Sequence, residues 1–320
     1  MNITISAISN LSRPAGDTVR IISLAEGLGK RGFNVNLVTP IKDKFSMILP
    51  DYIKTYSIDV KSKKTPINII IEYLMLILKA NKVQKNTISR LQIESSVLGG
   101  YFALAGYSNY ILDIHGLAFD EVRYSKLPWY IPPKIYQKYM SYLEKLAIKR
   151  ASKVIAVSNP MKDFFIKEWK IPEEKIEVIP NGYFEEKIKN FRNIKETKGM
   201  ISFVGVLAGW ANVDKVIDAA RALKKEDAHF YIVGDGRYRS MLENMVKKYN
   251  LNNVTFTGFV PIEKAYEIMA KSEILLAPFP KTLALEVACP PIKRYIKANR
   301  DNIKIVYINC GRYIHEISLK

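Results

Sequence analysis

His115 closes the segment NYILDIHG, beside Asp113 and just before Gly116, and is the histidine of this chain best placed for chemistry. An imidazole at the carboxyl edge of a strand can donate a hydrogen bond to a ligand hydroxyl or assist a proton transfer. The same position also suits a histidine that only packs. His229 opens a strand and His315 lies in the terminal tail, which fits structural or surface roles. Three glycine-bearing loops could bring backbone amides close to a phosphate: SNLSRPAGDTVR with Gly16, FVGVLAGW with Gly205 and Gly209, and VGDG with Gly234 and Gly236 ahead of Arg237. A tight turn is the better reading of the Gly16 and VGDG loops and an equal one for FVGVLAGW. The chain has no G-x-G-x-x-G fingerprint, P-loop or G-x-S-x-G elbow, and no His/Cys/Asp cluster with metal-ligand spacing. Metal-dependent hydrolysis, acyl transfer and P-loop phosphoryl transfer are therefore disfavoured.

The elements that must position these loops alternate in type. NITISAIS, NVNLVTP, SRLQIES, NYILDIHG and KVIAVS read as strands separated by amphipathic helices, the signature of α/β layers around a parallel sheet. A second series follows: MISFVGVL, HFYIVGDG, NVTFTGFV and EILLAPFP as strands, with NVDKVIDAARALKK, RSMLENMVKKYN and EKAYEIMAKS as helices. Between the two series lies a highly charged run of low apolar content. The expected organisation is an N-terminal domain over 1–184, a linker over 185–198 and a shorter C-terminal domain over 199–320. The ending NIKIVYINCGRYIHEISLK leaves room for one more strand and a tail. PINIIIEYLMLILKA is too short to span a bilayer, which takes roughly 20 apolar residues, and reads as a mostly buried helix.

Composition fits two packed domains: 320 residues, 48% of them hydrophobic. Lysine and arginine number 49 against 31 acidic residues, giving a formal charge of +18. That field favours anionic partners such as nucleic acid, acidic headgroups or phosphorylated small molecules, although a proteome rich in Lys, Ile and Asn gives the same excess with no partner. Aromatic residues fall mostly within apolar strands and helices, which argues against a base-stacking nucleic-acid surface. Cys289 and Cys310 have no metal spacing and read as packing residues in a reducing compartment. The start MNITISAISN resembles a first strand and not a signal peptide, so a cytoplasmic location is expected.

Taken in order, these loops resemble the retaining GT-B glycosyltransferases, of the group 1 or family 4-like kind. VRIISLAEGLGKRGFNVNLVTP, ASKVIAVSNPMKDFFIKEWKIPEEKIEVIPNG, FYIVGDGRYRSMLENMVKKYNLNNVTFTGFV and KSEILLAPF carry the likeness. It implies two Rossmann-like, doubly wound parallel-sheet domains facing a cleft, with an acceptor domain first and a nucleotide-sugar domain second. By the same likeness Gly16 lies against donor sugar and phosphate, His115 near the transferred sugar, and Gly205 at the diphosphate loop. Phe259, Val260 and Pro261 then line the base, and Glu286 is the first glutamate of a pair eight residues apart at the catalytic centre. The class needs no metal and no cofactor beyond the donor, a UDP-, GDP- or ADP-sugar.

Departures from the pattern are local. Val206 and Ala211 stand where many relatives supply an arginine and a lysine to the diphosphate, a loss shared by a subgroup with tryptophan in this loop, as at Trp210. Arg294 stands where the second glutamate would hold the ribose hydroxyls, and arginine cannot accept a hydrogen bond. Lys215, Arg237, Lys293 and Arg294 are candidate cations for the phosphates. The acceptor implied is a glycan or a polyprenyl or other lipid-linked molecule. LPWYIPPKIYQKYMSYLEKLAIKR ends as a basic amphipathic helix that suits peripheral contact with an anionic membrane at its inner face. A non-catalytic nucleotide-sugar or glycan binding protein is the alternative.

Overall fold

The computed structural model describes the chain except for residues 10, 12–15, 41–48, 59–65, 125–126, 181–188, 192, 281, 289–303, 309–313 and 318–320. Two compact units meet at Asn181 and Gly182. Lys293, Arg294, Cys289 and Cys310 lie outside the described residues, as do 185–188 and 192 of the expected linker.

In the first unit, seven parallel strands run in the order β3-β2-β1-β4-β5-β6-β7. They are β1 Asn2–Ala7, β2 Asn34–Pro40, β3 Ile53–Ile58, β4 Ser89–Glu94, β5 Ile111–Ile114, β6 Lys153–Ala156 and β7 Ile176–Val178. β3 falls on IKTYSI, which the sequence reading passes over. Lys54 and Thr55 are exposed on this edge strand, so its apolar alternation is broken. Helices cover both faces, so the central strands are buried along most of their length. Even Thr4 and Ser6 of β1 are fully buried, and Thr4 Oγ1 pairs with Ser89 Oγ at 2.5 Å. Ile5, Leu37 and Val35 pack with Ile21 and Ala25 of helix α1 (Gly16–Gly29).

The crossovers from β3 to β4, β4 to β5 and β5 to β6 are carried by α2 (Pro66–Thr87), α3 (Ser96–Leu104) and α5 (Pro133–Arg150), with the short α4 (Ala118–Glu121) before α5. Right-handed crossovers in one direction place α2, α3 and α5 on the same face of the sheet. α2 corrects the expectation of a mostly buried helix. Leu76, Ile77, Ala80 and Val83 face the sheet, while Ile70, Ile71, Leu74 and Leu78 are exposed. The helix is apolar on more than one side, and the sheet covers only one of them. α6 (Asn159–Trp169) starts at Ser158, whose Oγ accepts from Met161 N, and ends at Lys170 in the left-handed conformation.

The second unit is a six-stranded sheet in the order β10-β9-β8-β11-β12-β13. Its strands are β8 Thr197–Val204, β9 His229–Val233, β10 Val254–Gly258, β11 Ser272–Leu276, β12 Lys304–Ile308 and β13 Ile314–Ile317. All pairings are parallel but the last, where β13 folds back antiparallel on β12. Two strands thus stand where one was expected. Helices α7 (Asp214–Ala222), α8 (Arg239–Lys248), α9 (Ile262–Lys271) and α10 (Leu283–Ala288) complete the unit. Phe203, Ile217, Phe230, Ile232 and Leu242 form its core.

Glycines lock the carboxyl rim of this second sheet. Gly205 N donates to Val233 O at 2.9 Å, Leu207 N to Asp235 O at 3.0 Å, and Gly234 N to Gly258 O at 2.9 Å. Gly234 has φ +128, and a Cβ there would stand 2.0 Å from Gly205 O. Gly234→Ala should therefore destabilise the second unit by about 2 kcal/mol or more, combining backbone strain with a clash against backbone. Gly32→Ala has only its φ of +85 to contend with, since nothing lies within 4 Å of its Cβ position, and should cost ~1 kcal/mol. Chemical denaturation of both variants checks this; equal losses would contradict the interlock.

Candidate active site

Parallel α/β sheets bind ligands outside the carboxyl ends of their strands, where the strand order reverses. In the first unit that point lies between β1 and β4. β4 ends in Glu94, and the register with β5 sets it directly against Asp113. Both carboxylates are buried, at 2% and 1% exposure. Like charges this close cannot both stay ionised without cations beside them. Two cations are present. Arg20, from the first turns of α1, places Nη2 2.9 Å from each oxygen of Asp113 and Nε 3.2 Å from Oδ2. His115, one residue past β5, sets Nε2 2.9 Å from Glu94 Oε2 and 3.4 Å from Asp113 Oδ1.

One N–H of His115 thus faces two carboxylates, and neither receives an aligned hydrogen bond from it. Gln92 Nε2 holds the other oxygen of Glu94 at 2.8 Å. Ser95 N donates to Asp113 O at 3.1 Å, and Ser95 adopts φ 93, a conformation that non-glycine residues rarely take. Burial pushes the His115 pKa down, but the Asp113 and Glu94 carboxylates outweigh it and raise it to about 9. Burial and the neighbouring Asp113 raise Glu94, opposed by His115 and Gln92. With both carboxylates ionised, the group is electrically balanced when His115 is protonated.

A cation could in principle share these ligands, since atoms of Glu94, Asp113 and His115 all lie within 4.8 Å of one another. The Arg20 guanidinium already faces both oxygens of Asp113, so a dication there would meet a fixed positive charge. A proton on His115 satisfies the same carboxylates without that repulsion.

The loop after His115 is fixed from below. Glu144 of α5, 1% exposed, accepts from Ala118 N and Phe119 N at 2.9 Å and from Ser96 Oγ at 2.6 Å. It joins the starts of α3 and α4 to α5. Burial raises its pKa to about 7, against the lowering effect of Ser96, Phe119 and Ala118 as donors.

In the second unit the reversal lies between β8 and β11. Gly205 follows β8, Gly234 follows β9 and Phe259 follows β10, so these positions share one rim. The Gly205 amide is already bonded to Val233 O, leaving later residues of that loop to meet a ligand. Phe259 is 59% exposed, Val260 packs against Met200, Val233 and Ile268, and Pro261 caps α9. Glu286 lies in α10, the helix that follows β11 across the reversal point. Lys215 belongs to α7, where its Nζ lies 2.9 Å from Asp218 and 3.6 Å from Asp214. The exposed Arg237 sets its guanidinium over the Tyr238 ring at 5.3 Å. Gly16 opens α1 in the first unit, on the same helix as Arg20.

Sequence reasoning missed Arg20, Glu94 and Gln92. A signal was available for Glu94, a carboxylate at the carboxyl end of a strand, where parallel α/β sheets bind ligands. Arg20 carries no such mark.

The two units have the Rossmann-like, parallel-sheet architecture of GT-B glycosyltransferases. Over 87% of this chain and 75% of the other, the structure superposes on sucrose-phosphate synthase from Thermosynechococcus elongatus with TM-score 0.69 at 16% identity. WaaG, a glycosyltransferase involved in lipopolysaccharide biosynthesis, gives TM-score 0.69 at 16% identity, covering 97% of this chain and 86% of that one. The chain belongs to the glycosyltransferases, with residues 15–186 matching Glycosyltransferase Family 4 and residues 184–286 matching Glycosyl transferases group 1. An uncharacterized glycosyltransferase of Methanocaldococcus jannaschii is 32% identical over 171 residues, 51% of this chain and 42% of that protein. The UDP-Gal:alpha-D-GlcNAc-diphosphoundecaprenol alpha-1,3-galactosyltransferase of Escherichia coli is 26% identical over 243 residues, 70% of this chain and 60% of that one. The matches therefore span about half the length of these curated relatives.

The charge network makes a direct prediction. His115 gains its partners on folding, so its pKa rises above the ordinary 6.5 and the stability it contributes is fully present below that value. That stability fades as pH rises through about 9. NMR titration of the imidazole should give a midpoint near 9, and Glu94→Gln should lower it by roughly one unit or more. A midpoint near 6.5 in both proteins would contradict the arrangement.

Proposed function

We propose that this protein transfers a sugar from a nucleotide-diphosphate donor to a glycan or lipid-linked acceptor, with retention of configuration and without a metal ion. The observation that carries the proposal is the buried cluster in which Glu94 and Asp113 flank His115 beside the strand-order reversal of the first unit, with the imidazole pKa raised to about 9. A protonated imidazole cannot serve as a base at neutral pH. In this reading it donates a hydrogen bond to the transferred sugar and stabilises negative charge as the diphosphate leaves.

The glycine-locked rim of the second unit is assigned to the nucleotide. Amides beyond Gly205 and at the start of α1 near Gly16 meet the phosphates, with Arg237, Lys293 and Arg294 as cations and Lys215 held back by its own acids. Phe259, Val260 and Pro261 take the base, and Glu286 the sugar. Arg294 offers charge to the diphosphate but nothing to ribose hydroxyls, so a weaker grip on the ribose follows. The donor is a UDP-, GDP- or ADP-sugar. Support for this donor and acceptor class comes from the names of relatives: the galactosyltransferase above, an O-antigen chain mannosyltransferase of Salmonella typhimurium, and the structural neighbour HepE of Anabaena, solved in complex with UDP. We place the protein in the cytoplasm, in peripheral contact with the inner face of an anionic membrane. No helix among the described residues is long and apolar enough to cross one.

Incubation with UDP-, GDP- and ADP-sugars should give a thermal shift with one nucleotide class, and release of nucleoside diphosphate once a lipid-linked acceptor is added. His115→Ala and Glu286→Ala should each slow release by about 100-fold or more while leaving the fold intact. A shift with no release for any acceptor would instead mark a binding protein. Unchanged turnover in both variants would overturn the site assignment.

A further inference from the structure

At the amino edge of the first sheet, opposite the rim that holds His115, a cavity of about 390 Å³ opens where α2 ends. Sites for small molecules run to roughly 300–1,000 Å³, so its size suits one. The strand registers assemble its floor. Asn2 of β1 stands against Asn34 of β2, and Asn36 stands against Lys54 of β3, with Tyr56 next along the same face. Ile3, Val35 and Ile53 point the other way, into the core beneath α1. α2 packs against all three strands and stops at Thr87, where Asn34 and Lys54 remain exposed.

This polar floor is held in place yet keeps open valences. Asn2 Nδ2 donates to Thr87 O, Asn34 Nδ2 to Asn2 Oδ1 at 3.1 Å, and Asn36 Nδ2 to Thr87 Oγ1 at 3.3 Å. Asn36 is only 4% exposed, lines the cavity, and its Oδ1 meets no donor among the described residues. An acceptor in that position is costly to leave unmet, and a ligand in the cavity supplies the missing donor. Asn86, at the end of α2, adds an exposed amide. The turn from α2 into β4 holds Ile88 at φ 47, 91% exposed at the cavity's edge. A β-branched residue seldom takes that conformation, and such strain concentrates where a fold receives ligands.

The lining decides the class of ligand. One acid, Asp51, and one base, Lys54, leave the cavity without net charge in a chain of formal charge +18, so neither a phosphate nor a dication finds its counter-charges there. Side-chain amides both donate and accept, as each hydroxyl of a sugar does. The rings of Tyr52 and Tyr56 supply flat apolar surface for the C–H face of a pyranose. We propose that this cavity is a carbohydrate-binding site for a neutral hexopyranose unit of a glycan, separate from the site at His115. Asn36 Oδ1, Asn34 and Asn86 take its hydroxyls, and Tyr56 its ring face. Sugar binding here is independent of transfer at His115.

Saturation-transfer difference NMR on the full chain, with no nucleotide-sugar present, tests it against the methyl α-glycosides of glucose, galactose and mannose and against N-acetylglucosamine. At least one of these should bind saturably, and should bind the His115→Ala protein equally well. Tyr56→Ala and Asn86→Ala should each weaken that sugar by about tenfold, the loss of one stacking or hydrogen-bond partner, with circular dichroism unchanged. Asn36→Leu should abolish binding; if that protein does not fold, the other two variants decide. No saturable binding by any of the four sugars would overturn the proposal, as would equal binding by Tyr56→Ala and Asn86→Ala. Binding lost in His115→Ala but kept in Tyr56→Ala would put the sugar in the transfer site and overturn it too. Inorganic phosphate that binds in a Tyr56- and Asn86-dependent way, with no sugar doing so, would make the cavity an anion site instead.

Discussion

Two carboxylates at neighbouring positions in a buried parallel sheet set the terms for the first unit. The β4–β5 register places Glu94 beside Asp113, almost without solvent, and their mutual repulsion must be met by cations. Arg20 reaches in from α1 and His115 turns back from the end of β5 to supply them. That one requirement fixes the first turns of α1, the direction of the chain after β5 and the protonation state of the histidine. It also explains how a strained Ser95 is tolerated, because its amide is bonded across to Asp113 O at the point where β4 must turn into α3.

The consequence for chemistry is a hydrogen-bond donor at the carboxyl edge of the sheet, His115, with its pKa raised to about 9 by Asp113 and Glu94. A histidine free to titrate near neutrality could accept a proton; one held between two carboxylates donates. Glu144 completes the arrangement from beneath, holding the backbone that follows His115 against α5. The second unit closes its rim largely through backbone, with Asp235 and Arg239 as an ion pair beside it. Its rim is closed by backbone hydrogen bonds between loops that only glycine lets approach so closely, at Gly234 and Gly236. One unit thus presents a poised cation and the other a surface of backbone.

Alternation of strand-length and helix-length apolar segments made both Rossmann-like units legible in the sequence. β3 escaped notice because Lys54 and Thr55 break its pattern on an exposed edge. α2 was misjudged for the opposite reason. A helix apolar on more than one side reads as buried, and nothing local in its sequence says that the sheet covers only Leu76, Ile77, Ala80 and Val83. His115 was legible as a residue type at a strand end. Its partners were not: Arg20 lies 93 residues from Asp113, and only the sheet register and the α1 packing bring them together. Glu286 is positioned on α10 by the fold, while its role rests on the resemblance alone.

The central claim is that His115 acts as a cation held by Glu94 and Asp113. The most direct test is the pH dependence of nucleoside diphosphate release between pH 6 and pH 10 for the intact protein and for Glu94→Gln. The account predicts turnover that is level through neutrality and falls as pH rises through about 9, with the fall displaced to lower pH in the variant. A profile that instead rises as a histidine near 6.5 loses its proton, in either protein, would make His115 a base and contradict the account.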